Sequence, residues 1–292
     1  MKIQKSFHDE TVGAVYVVPT PIGNLEDITF RALKVLETAS LIAAEDTRNT
    51  RKLLNHFELG TPMISYHEHN KLDREDQLLQ RVERGETIAI VSDAGMPAIS
   101  DPGMELVVAA IEKDLPVVVL PGANAALCAL VGSGLPSDEF HFYGFLPRKK
   151  KEKASELERL KNIQATILLY ESPYRLKDTL KALQEFLGNR RITVARELTK
   201  RFEEYVRGSM EEILSWAEDH PPKGEFCLVV EGADEAVEQD DNLWWSHLSI
   251  PAHVNYYIEE KSMTNKEAVK LAAKDRAMPK REVYQAYHID DV

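Results

Sequence analysis

The sequence predicts an α/β protein of two domains followed by a small helical extension. Short apolar, β-branched runs alternate with amphipathic helical patterns from about residue 12 to residue 235. In the first half these runs are continuous and apolar, which is typical of a parallel sheet covered by helices on both faces. We therefore predict an N-terminal α/β domain over residues 12–122, a C-terminal α/β domain over residues 123–235, and a linker with a basic helical tail over residues 236–292.

The first domain is predicted to contain strands and helices in strict alternation. The strands are predicted in AVYVV, SLIAAED, PMISY, TIAIVSD and PVVVLPG. Helical periodicity separates them, in FRALKVLETA, TRKLLNHF, REDQLLQRVERG and GMELVVAAIEKD. This alternation favours βαβ units and a parallel sheet.

The second domain begins after Pro121 and shows a mixed pattern. Its strands are predicted in FHFYGFL, ATILLYES, RRITVARELT, FEEYVRGS and GEFCLVVEG, and its helices in ANAALCALVGSG, KASELERLKN, YRLKDTLKALQEFLG and MEEILSWAEDH. Two strands follow one another without a helix between them, which indicates some antiparallel pairing.

The tail is predicted to form three short helices. Thr264 and Glu267 have the spacing of a capping box at the start of the second helix. Pro279 suits the first turn of the third.

The charge distribution limits how the protein meets nucleic acid. A net charge of −12 weighs against a protein that coats nucleic acid with its whole surface. Two local basic clusters remain candidates for RNA binding. One contains Arg148, Lys149 and Lys150, and the other spans residues 261–281, with seven basic and two acidic residues. A solvated helix face is the alternative for either cluster.

The cysteines and the apolar segments bear on the compartment. Cys128 and Cys227 lie in apolar runs and are predicted to be buried free thiols, which fits a reducing compartment. The first ten residues lack the apolar segment of a secretion signal, so we expect a cytoplasmic protein. Leu115–Ser137 is uncharged but rich in Pro and Gly, which favours a strand, a turn and a helix over a membrane span.

Polar, turn-forming segments follow each strand of the first domain, where open α/β sheets bind ligands. These segments are PTPIGN, EDTRNT, YHEHN, SDAGMPAISDPG and PGANAA. The fourth is twelve residues long, where two to six would be usual. The Walker, G-x-G-x-x-G and G-x-S-x-G patterns do not occur. His67 and His69 flank Glu68, but no further ligand has a natural spacing, so we expect no metal.

Eight segments in order carry a resemblance to a known family. They are VVPTPIGNLEDITFRA, IAAEDTRNTRKLL, ISYHEHN, VSDAGMPAISDPG, LPGANAALCALVGSGLP, FYGFLPRK, LYESPYRL and ARELTKRFEE. Over roughly residues 12–232 the chain resembles the ribosomal-RNA branch of the tetrapyrrole methylase superfamily, the class III S-adenosylmethionine (SAM) methyltransferases. The tail resembles the helical extension of many members.

The resemblance implies a fold, a reaction and partners. It implies two α/β domains with SAM in the cleft between them, in a homodimer. It implies methyl transfer to the ribose 2′-hydroxyl of a cytidine in the decoding region of 16S rRNA. The substrate would be the assembled small ribosomal subunit.

The resemblance also implies cofactor-binding residues. Asp93 matches the acidic residue of the superfamily's G-G-D loop. Met96, Asn124, Ala125, Glu171 and Leu198 follow strand ends that match the family, and Pro21 matches the proline of its glycine loop. The chain departs from the tetrapyrrole-modifying members at this loop, where PTPIGN replaces a G-x-G-P-G pattern.

Methyl transfer to a hydroxyl benefits from a general base. We expect Glu45 or Asp46 to orient or deprotonate the 2′-hydroxyl and Arg48 to contact a phosphate, with His67 as a further candidate base. In the alternative interpretation, Asp46 caps the next helix and pairs with Arg48. Two other functions stay open: methylation of a tetrapyrrole carbon, and a catalytically silent ribosome-binding protein.

Overall fold

The structure is a computed structural model that describes residues 3–6, 13–67, 71–234, 244–245, 247–276 and 278–289. The chain divides into two compact units, Met1–Asp234 and Glu235–Val292. The first unit contains two five-stranded sheets. The second is helical.

The first sheet is parallel and has the strand order β3-β2-β4-β1-β5. Its strands are β1 (Ala14–Val17), β2 (Leu41–Ala44), β3 (Met63–Ser65), β4 (Thr87–Val91) and β5 (Val117–Val119). The helices are α1 (Phe30–Thr38), α2 (Thr47–His56), α3 (Lys71–Glu83) and α4 (Met104–Glu112), with a short 3-10 turn at Leu25–Asp27. The predicted alternation of strands and helices is confirmed.

Helices cover both faces of this sheet. Ile88 and Ile90 of β4 pack on one side in a cluster with residues of α3 and α4. Ala89 and Val91 pack on the other side with residues of α1 and α2. Because successive strand residues face opposite sides, a strand buried on both faces must be apolar throughout, as these are.

The second sheet is mixed and has the order β6-β7-β10-β8-β9. The elements in this half are α5 (Ala125–Ser133), β6 (Phe140–Phe145), α6 (Lys150–Leu160), β7 (Thr166–Glu171), α7 (Leu176–Leu187), β8 (Arg191–Arg196), β9 (Glu204–Ser209), α8 (Met210–Asp219) and β10 (Phe226–Val230). β6 and β7 are parallel, whereas β10 is antiparallel to β7 and β8, and β9 is antiparallel to β8. The predicted mixed pairing is confirmed.

The uncharged segment around residues 115–137 forms β5 and α5, as predicted. Helix α5 packs against the second sheet through Ala126, Ala129 and Leu130. The prediction of a buried Cys128 is wrong, because its thiol is exposed on the outer side of α5. Cys227 is buried, and both thiols are free. None of the helices in the described ranges is long and apolar enough to cross a membrane.

The second unit contains α9 (Ile250–Glu259), α10 (Asn265–Asp275) and α11 (Lys280–Ile289), the three helices predicted from the sequence. Val254, Ala268 and Val283 form part of its core. Thr264 and Glu267 form the predicted capping box. The predicted linker at residues 236–242 lies outside the described residues. The domain limits at residues 122 and 235 stay predictions.

Candidate functional site

A cleft of about 380 Å³ lies at the ends of strands from both sheets of the first unit. The first sheet contributes residues that follow β1, β2, β4 and β5. The second sheet contributes residues at the ends of β6, β7 and β8 and at the start of β10. Seven predicted site residues line the cleft: Glu45, Asp93, Met96, Asn124, Ala125, Glu171 and Leu198.

The loop after β1 is held against the loop after β4. The backbone N–H of Thr20 donates to the Gly95 carbonyl, and the N–H of Gly95 donates to the Thr20 carbonyl, each at 2.9 Å. The next residue but one, Ile22, packs into the cluster beneath the second sheet and lines the cleft. The PTPIGN segment is therefore a wall of the cleft, fixed through its backbone.

Close packing against the loop after β8 fixes the far end of the same segment. A Cβ on Gly23 would lie 2.4 Å from Cγ of Lys200, so only glycine allows this approach without displacement of that side chain. The backbone N–H of Asn24 donates to Oγ1 of Thr199 at 3.1 Å. Through these contacts, the first-sheet loop is joined to the second sheet.

The long loop after β4 contains strained backbone. Ala98 and Ser100 have φ values of 68° and 63°, in the left-handed region that non-glycine residues seldom adopt. Gly103 has φ 138° and precedes α4. Strain of this kind persists where the surrounding structure enforces it, and it is concentrated at functional sites. The unusual length of SDAGMPAISDPG thus corresponds to a constrained wall of the cleft.

Three carboxylates from the first sheet meet at the cleft: Glu45, Asp93 and Asp101. The backbone N–H of Asp93 donates to Oε2 of Glu45 at 3.1 Å. Burial, and then the neighbouring Glu45 and Asp93 charges, raise the pKa of Asp101 to about 7. Burial also raises the pKa of Glu45; the hydrogen bond from the Asp93 backbone opposes this increase, and the charges of Asp93 and Asp46 add to it. The cleft therefore favours a bound cation, and Asp101 is a carboxyl group that exchanges its proton near neutral pH.

Asp46 and Arg48 adopt the arrangement of the alternative interpretation. Asp46 is the N-cap of α2, and its Oδ1 accepts from the backbone N–H of Arg48 at 2.8 Å. Its Oδ2 pairs with the Arg48 guanidinium at 2.5 Å. This pairing lowers the pKa of Asp46 to about 2. A carboxylate so stabilised is a weak proton acceptor, and neither residue is among those that line the cleft.

The second sheet and α5 provide the remaining walls. Asn124 is the N-cap of α5, and its Oδ1 accepts from the backbone N–H of Leu127 at 3.1 Å. The N-terminus of α5 therefore faces the cleft at Asn124 and Ala125. Leu198 is 6% exposed and lies between Glu197 and Thr199, which both have positive φ values. These residues give shape and backbone polar groups in place of charge.

Glu171 is buried, and its carboxylate already has protein partners. Its Oε2 accepts from Oγ1 of Thr179 at 2.6 Å, and its Oε1 accepts from the backbone N–H of Ser172 at 2.8 Å. Arg175 lies 3.5 Å from the same carboxylate. Glu171 therefore anchors the loop between β7 and α7.

A second cavity of about 280 Å³ adjoins the cleft, and Asp93 lines both. Pro21 lines this second cavity and is not among the residues that line the cleft. The placement of Pro21 favours a role in the second cavity over contact with a ligand in the cleft.

The other predicted residues lie away from the cleft. Arg148, Lys149 and Lys150 are exposed at the start of α6, and Lys149 pairs with Glu152 at 2.8 Å. His67 lines neither cavity, while Glu68 and His69 lie outside the described residues. Within the described ranges, no group of three or more His, Cys, Asp or Glu side chains could hold a metal ion.

Sequence reasoning missed several residues of the cleft. Asp101 is the second aspartate of the SDAGMPAISDPG loop, whose length was the available signal. Tyr170 and Cys227 lie within strands and gave no signal. Burial raises the pKa of each to about 12, so both groups stay protonated.

The chain matches one protein family and is similar in sequence to known methyltransferases. The model of the tetrapyrrole (corrin/porphyrin) methylases matches residues 14–214. The chain is 53% identical over 289 residues to ribosomal RNA small subunit methyltransferase I of Halalkalibacterium halodurans, covering 99% of each chain. It is 52% identical over 290 residues to the protein of that name in Bacillus subtilis, again covering 99% of each.

Solved structures share the fold at low sequence identity. Uroporphyrin-III C-methyltransferase from Thermus thermophilus, in complex with S-adenosylhomocysteine, aligns with a TM-score of 0.52 at 19% identity, covering 74% of this chain and 97% of that one. A cobalt precorrin-4 methyltransferase aligns with a TM-score of 0.55 at 19% identity, covering 75% of this chain and 94% of that one.

Proposed function

The chain belongs to the tetrapyrrole (corrin/porphyrin) methylase family, and from that premise we propose that it transfers a methyl group from SAM to the ribose 2′-hydroxyl of a cytidine in the decoding region of 16S rRNA. The observation that carries the rRNA substrate is the 53% identity, over 99% of both chains, to a ribosomal RNA small subunit methyltransferase. The assembled small subunit is the proposed partner. The choice of cytidine and of the 2′-oxygen rests on the sequence resemblance.

The cleft suits SAM in size and in charge. A volume of about 380 Å³ is within the range of small-molecule sites. SAM carries no phosphate and supplies an electrophilic methyl group on a cationic sulfur. The carboxylates of Glu45, Asp93 and Asp101 lower the energy of a cation in this cleft. A relative of the same fold was crystallised with S-adenosylhomocysteine, which supports SAM as the co-substrate.

The proposed SAM contacts divide between charged and backbone groups. Asp93 supplies a carboxylate, while Met96 and Leu198 supply apolar surface and backbone polar groups. The α5 N-terminus at Asn124 and Ala125 offers the positive end of the helix dipole, which suits the carboxylate of SAM. Glu171 contributes through its main chain, since its side chain is held by Thr179 and Ser172.

Glu45 is the proposed residue that orients or deprotonates the acceptor hydroxyl. It lines the cleft, it is half-buried, and its raised pKa makes it a better proton acceptor than an ordinary carboxylate. Asp46 and Arg48 act beside it as positioning residues. The Asp46 N–H donates to Oδ1 of Asp93 at 3.2 Å, which fixes that carboxylate.

The exposed basic residues Arg148, Lys149 and Lys150 are proposed to contact the phosphates of the RNA. Replacing all three with Glu weakens subunit binding and flattens its dependence on salt. Filter binding of subunits from about 50 to 200 mM salt tests this. An unchanged slope contradicts the proposal.

A homodimer is proposed from the resemblance and is supported by exposed apolar side chains. Met104 and Val108 of α4 are 55% and 42% exposed, and Leu127 and Val131 of α5 are 48% and 78% exposed. Apolar helix faces of this kind mark interaction surfaces. Sedimentation of Val131→Glu against the wild-type protein tests the assignment, and a monomeric wild type contradicts it.

A single labelling experiment tests the reaction. Unmodified small subunits and tetrapyrrole precursors are each incubated with the protein and methyl-labelled SAM. The proposal expects label in the subunit RNA alone, at a linkage that resists alkali, as only a 2′-O-methylated ribose does. Label in the tetrapyrrole, or in neither acceptor, contradicts it.

A further inference from the structure

The second cavity is enclosed by three segments of the first sheet. The lining residues come from the loop after β1, from α2 and from the loop after β4, and they are Thr20, Pro21, Gly23, Leu25, Asn49, Thr50, Lys52, Leu53, Ser92 and Asp93. Its volume of about 280 Å³ is close to the lower limit of small-molecule sites. Its lining combines hydroxyl, amide, carboxylate and ammonium groups with the apolar side chains of Pro21 and Leu53.

Thr50 lines this cavity and carries an unpartnered hydroxyl. The residue is 4% exposed, and its Oγ1 is buried without a hydrogen-bond partner within the described structure. Buried polar groups are normally paired, because leaving one unpaired costs free energy. A helical threonine usually satisfies its hydroxyl on the preceding turn, and this one does not. A residue that lines the cavity therefore carries a hydroxyl that no group of the described residues satisfies.

Lys52 and Asn49 place further polar groups on the same helix. Nζ of Lys52 lies 3.5 Å from Oδ1 of Asn49, at the limit of a hydrogen bond, and it forms no ion pair with any described residue. Nδ2 of Asn49 donates to Oδ2 of Asp93 at 3.0 Å. The cavity thus combines an unpaired cation at an exposed position with a buried hydroxyl.

Asp93 forms the wall that this cavity shares with the cleft. Its backbone N–H holds Glu45, and its Oδ2 holds Asn49. A ligand in the second cavity therefore lies next to the proposed base and next to the proposed SAM site. That adjacency is what a two-substrate transfer requires.

We propose that the second cavity binds the acceptor ribonucleotide of the RNA, with the Thr50 hydroxyl bonded to the nucleoside and Lys52 paired with its phosphate. The inference rests on the proposed function and assigns a subsite to it. Proteins that recognise a single unstacked nucleotide bind it in a pocket that combines hydrogen bonds to its polar groups with stacking on aromatic or apolar side chains. Pro21 and Leu53 provide the apolar surface here.

The test compares Thr50→Val and Lys52→Gln with the wild-type protein on unmodified small subunits and methyl-labelled SAM. Valine keeps the shape of Thr50 and removes the hydroxyl. We expect kcat/KM for subunits to fall about 10-fold in each variant, as for the loss of one hydrogen bond or one phosphate contact. Lys52→Gln also reduces the salt slope of subunit binding by about 1. The dissociation constant of SAM, from equilibrium dialysis, stays at the wild-type value.

Three controls separate recognition from folding. Thr50→Ser restores the hydroxyl and recovers most of the lost kcat/KM. Thr38→Val and Lys34→Gln make the same chemical changes at exposed positions of α1. They leave kcat/KM for subunits and the dissociation constant of SAM unchanged. Thermal unfolding of every variant checks that the fold is kept.

The outcomes distinguish the subsite from the reaction. Wild-type kinetics in both Thr50→Val and Lys52→Gln overturn the subsite while leaving the proposed function intact. An equal loss of SAM affinity also overturns it, because the cavity would then belong to the methyl donor. Subunits that the wild-type protein leaves unlabelled refute the proposed function, and with it the inference.

Discussion

The two sheets contribute different chemistry to one cleft. The first sheet supplies three carboxylates, Glu45, Asp93 and Asp101, and a loop with strained backbone. The carboxylates that the second sheet adds, Glu171 and Glu225, are paired with Arg175 and Lys200. The second sheet supplies mainly apolar and aromatic surface, with Phe145, Tyr170 and Leu198 as examples. The difference follows from the strands, since every strand end of the parallel sheet opens into a polar loop at the same edge.

This difference separates two tasks. Side chains whose pKa values are shifted by burial and by like charge suit proton transfer and the binding of a cation. An apolar wall suits the exclusion of water and the fixing of a ligand's position. We therefore expect substitutions on the first sheet to alter the chemical step, and substitutions on the second sheet to alter the binding of SAM.

The largest expected effect is that of Glu45→Gln. Glutamine keeps the size of the side chain and cannot accept the hydroxyl proton, so methyl transfer falls by about 10² to 10⁴-fold. Single-turnover transfer of labelled methyl measures the effect, with SAM affinity measured in parallel. Glu37→Gln, an exposed position on α1, is the matched control. Transfer at the wild-type rate in Glu45→Gln would contradict a role for the first sheet in the chemical step.

Leu198→Ala tests the second sheet. The substitution removes buried apolar surface from the cleft wall, so SAM affinity falls about 10-fold and the free energy of unfolding falls by about 2 to 5 kcal/mol. Transfer at saturating SAM remains close to normal. Leu187→Ala is the matched control. Leu187 is as buried as Leu198, at 6% exposure, but it packs in a different hydrophobic cluster and does not line the cleft. If both variants lose SAM affinity alike, the effect reports stability and the comparison fails.

Asp101→Asn tests the acidic side through pH. The pKa of Asp101 is raised from 3.8 to about 7 in the folded protein, so folding favours its protonated form. Its contribution to stability is fully present below the ordinary pKa and is lost as pH rises through about 7. Asparagine removes this loss, so the variant gains stability over the wild type above pH 7 and shows little gain near pH 4.

Urea midpoints from pH 4 to pH 8 measure that gain. Asp138→Asn, at an exposed position, is the control and changes the pH profile little. A gain that does not vary with pH would contradict the burial of Asp101 beside Glu45 and Asp93.

Asp46→Asn has the smallest expected effect. Asparagine also caps helices well, so stability changes little, while the ion pair with Arg48 is exposed and contributes weakly. Because Asp46 is a positioning residue in this proposal, we expect a loss of transfer of only a few-fold, and the pH dependence of transfer should not move. A loss as large as that of Glu45→Gln would instead make Asp46 the base.

The arrangement of strands and helices could be predicted because their patterns are local. The continuous apolar β4 segment and the adjacent β8 and β9 segments predict parallel and antiparallel pairing from the sequence itself. The exposure of Cys128 could not be predicted, because an apolar helix such as α5 gives no sign of which side it buries.

Some residues of the cleft could not be predicted from the sequence for a different reason. Asp101 is an ordinary loop aspartate in the sequence, and its pKa depends on two carboxylates from other segments that only the fold brings near. Pro21 is predicted as a cofactor contact from its match to the proline of the family's glycine loop, yet it lines the second cavity and is not among the residues that line the cleft. In contrast, Glu45, Asp93 and Leu198 lie within two residues of a strand end, and strand ends are where the cleft forms.

The reciprocal bond between Thr20 and Gly95 has a consequence for how such loops are recognised. It uses only main-chain N–H and C=O groups, which nearly every residue type possesses. Chains with different residues at these places can therefore close a cleft in the same way. A sequence motif defined by residue types, such as a glycine-rich signature, therefore does not detect this main-chain contact. What the PTPIGN segment supplies is a backbone conformation, and its residue types can change as long as that conformation is kept.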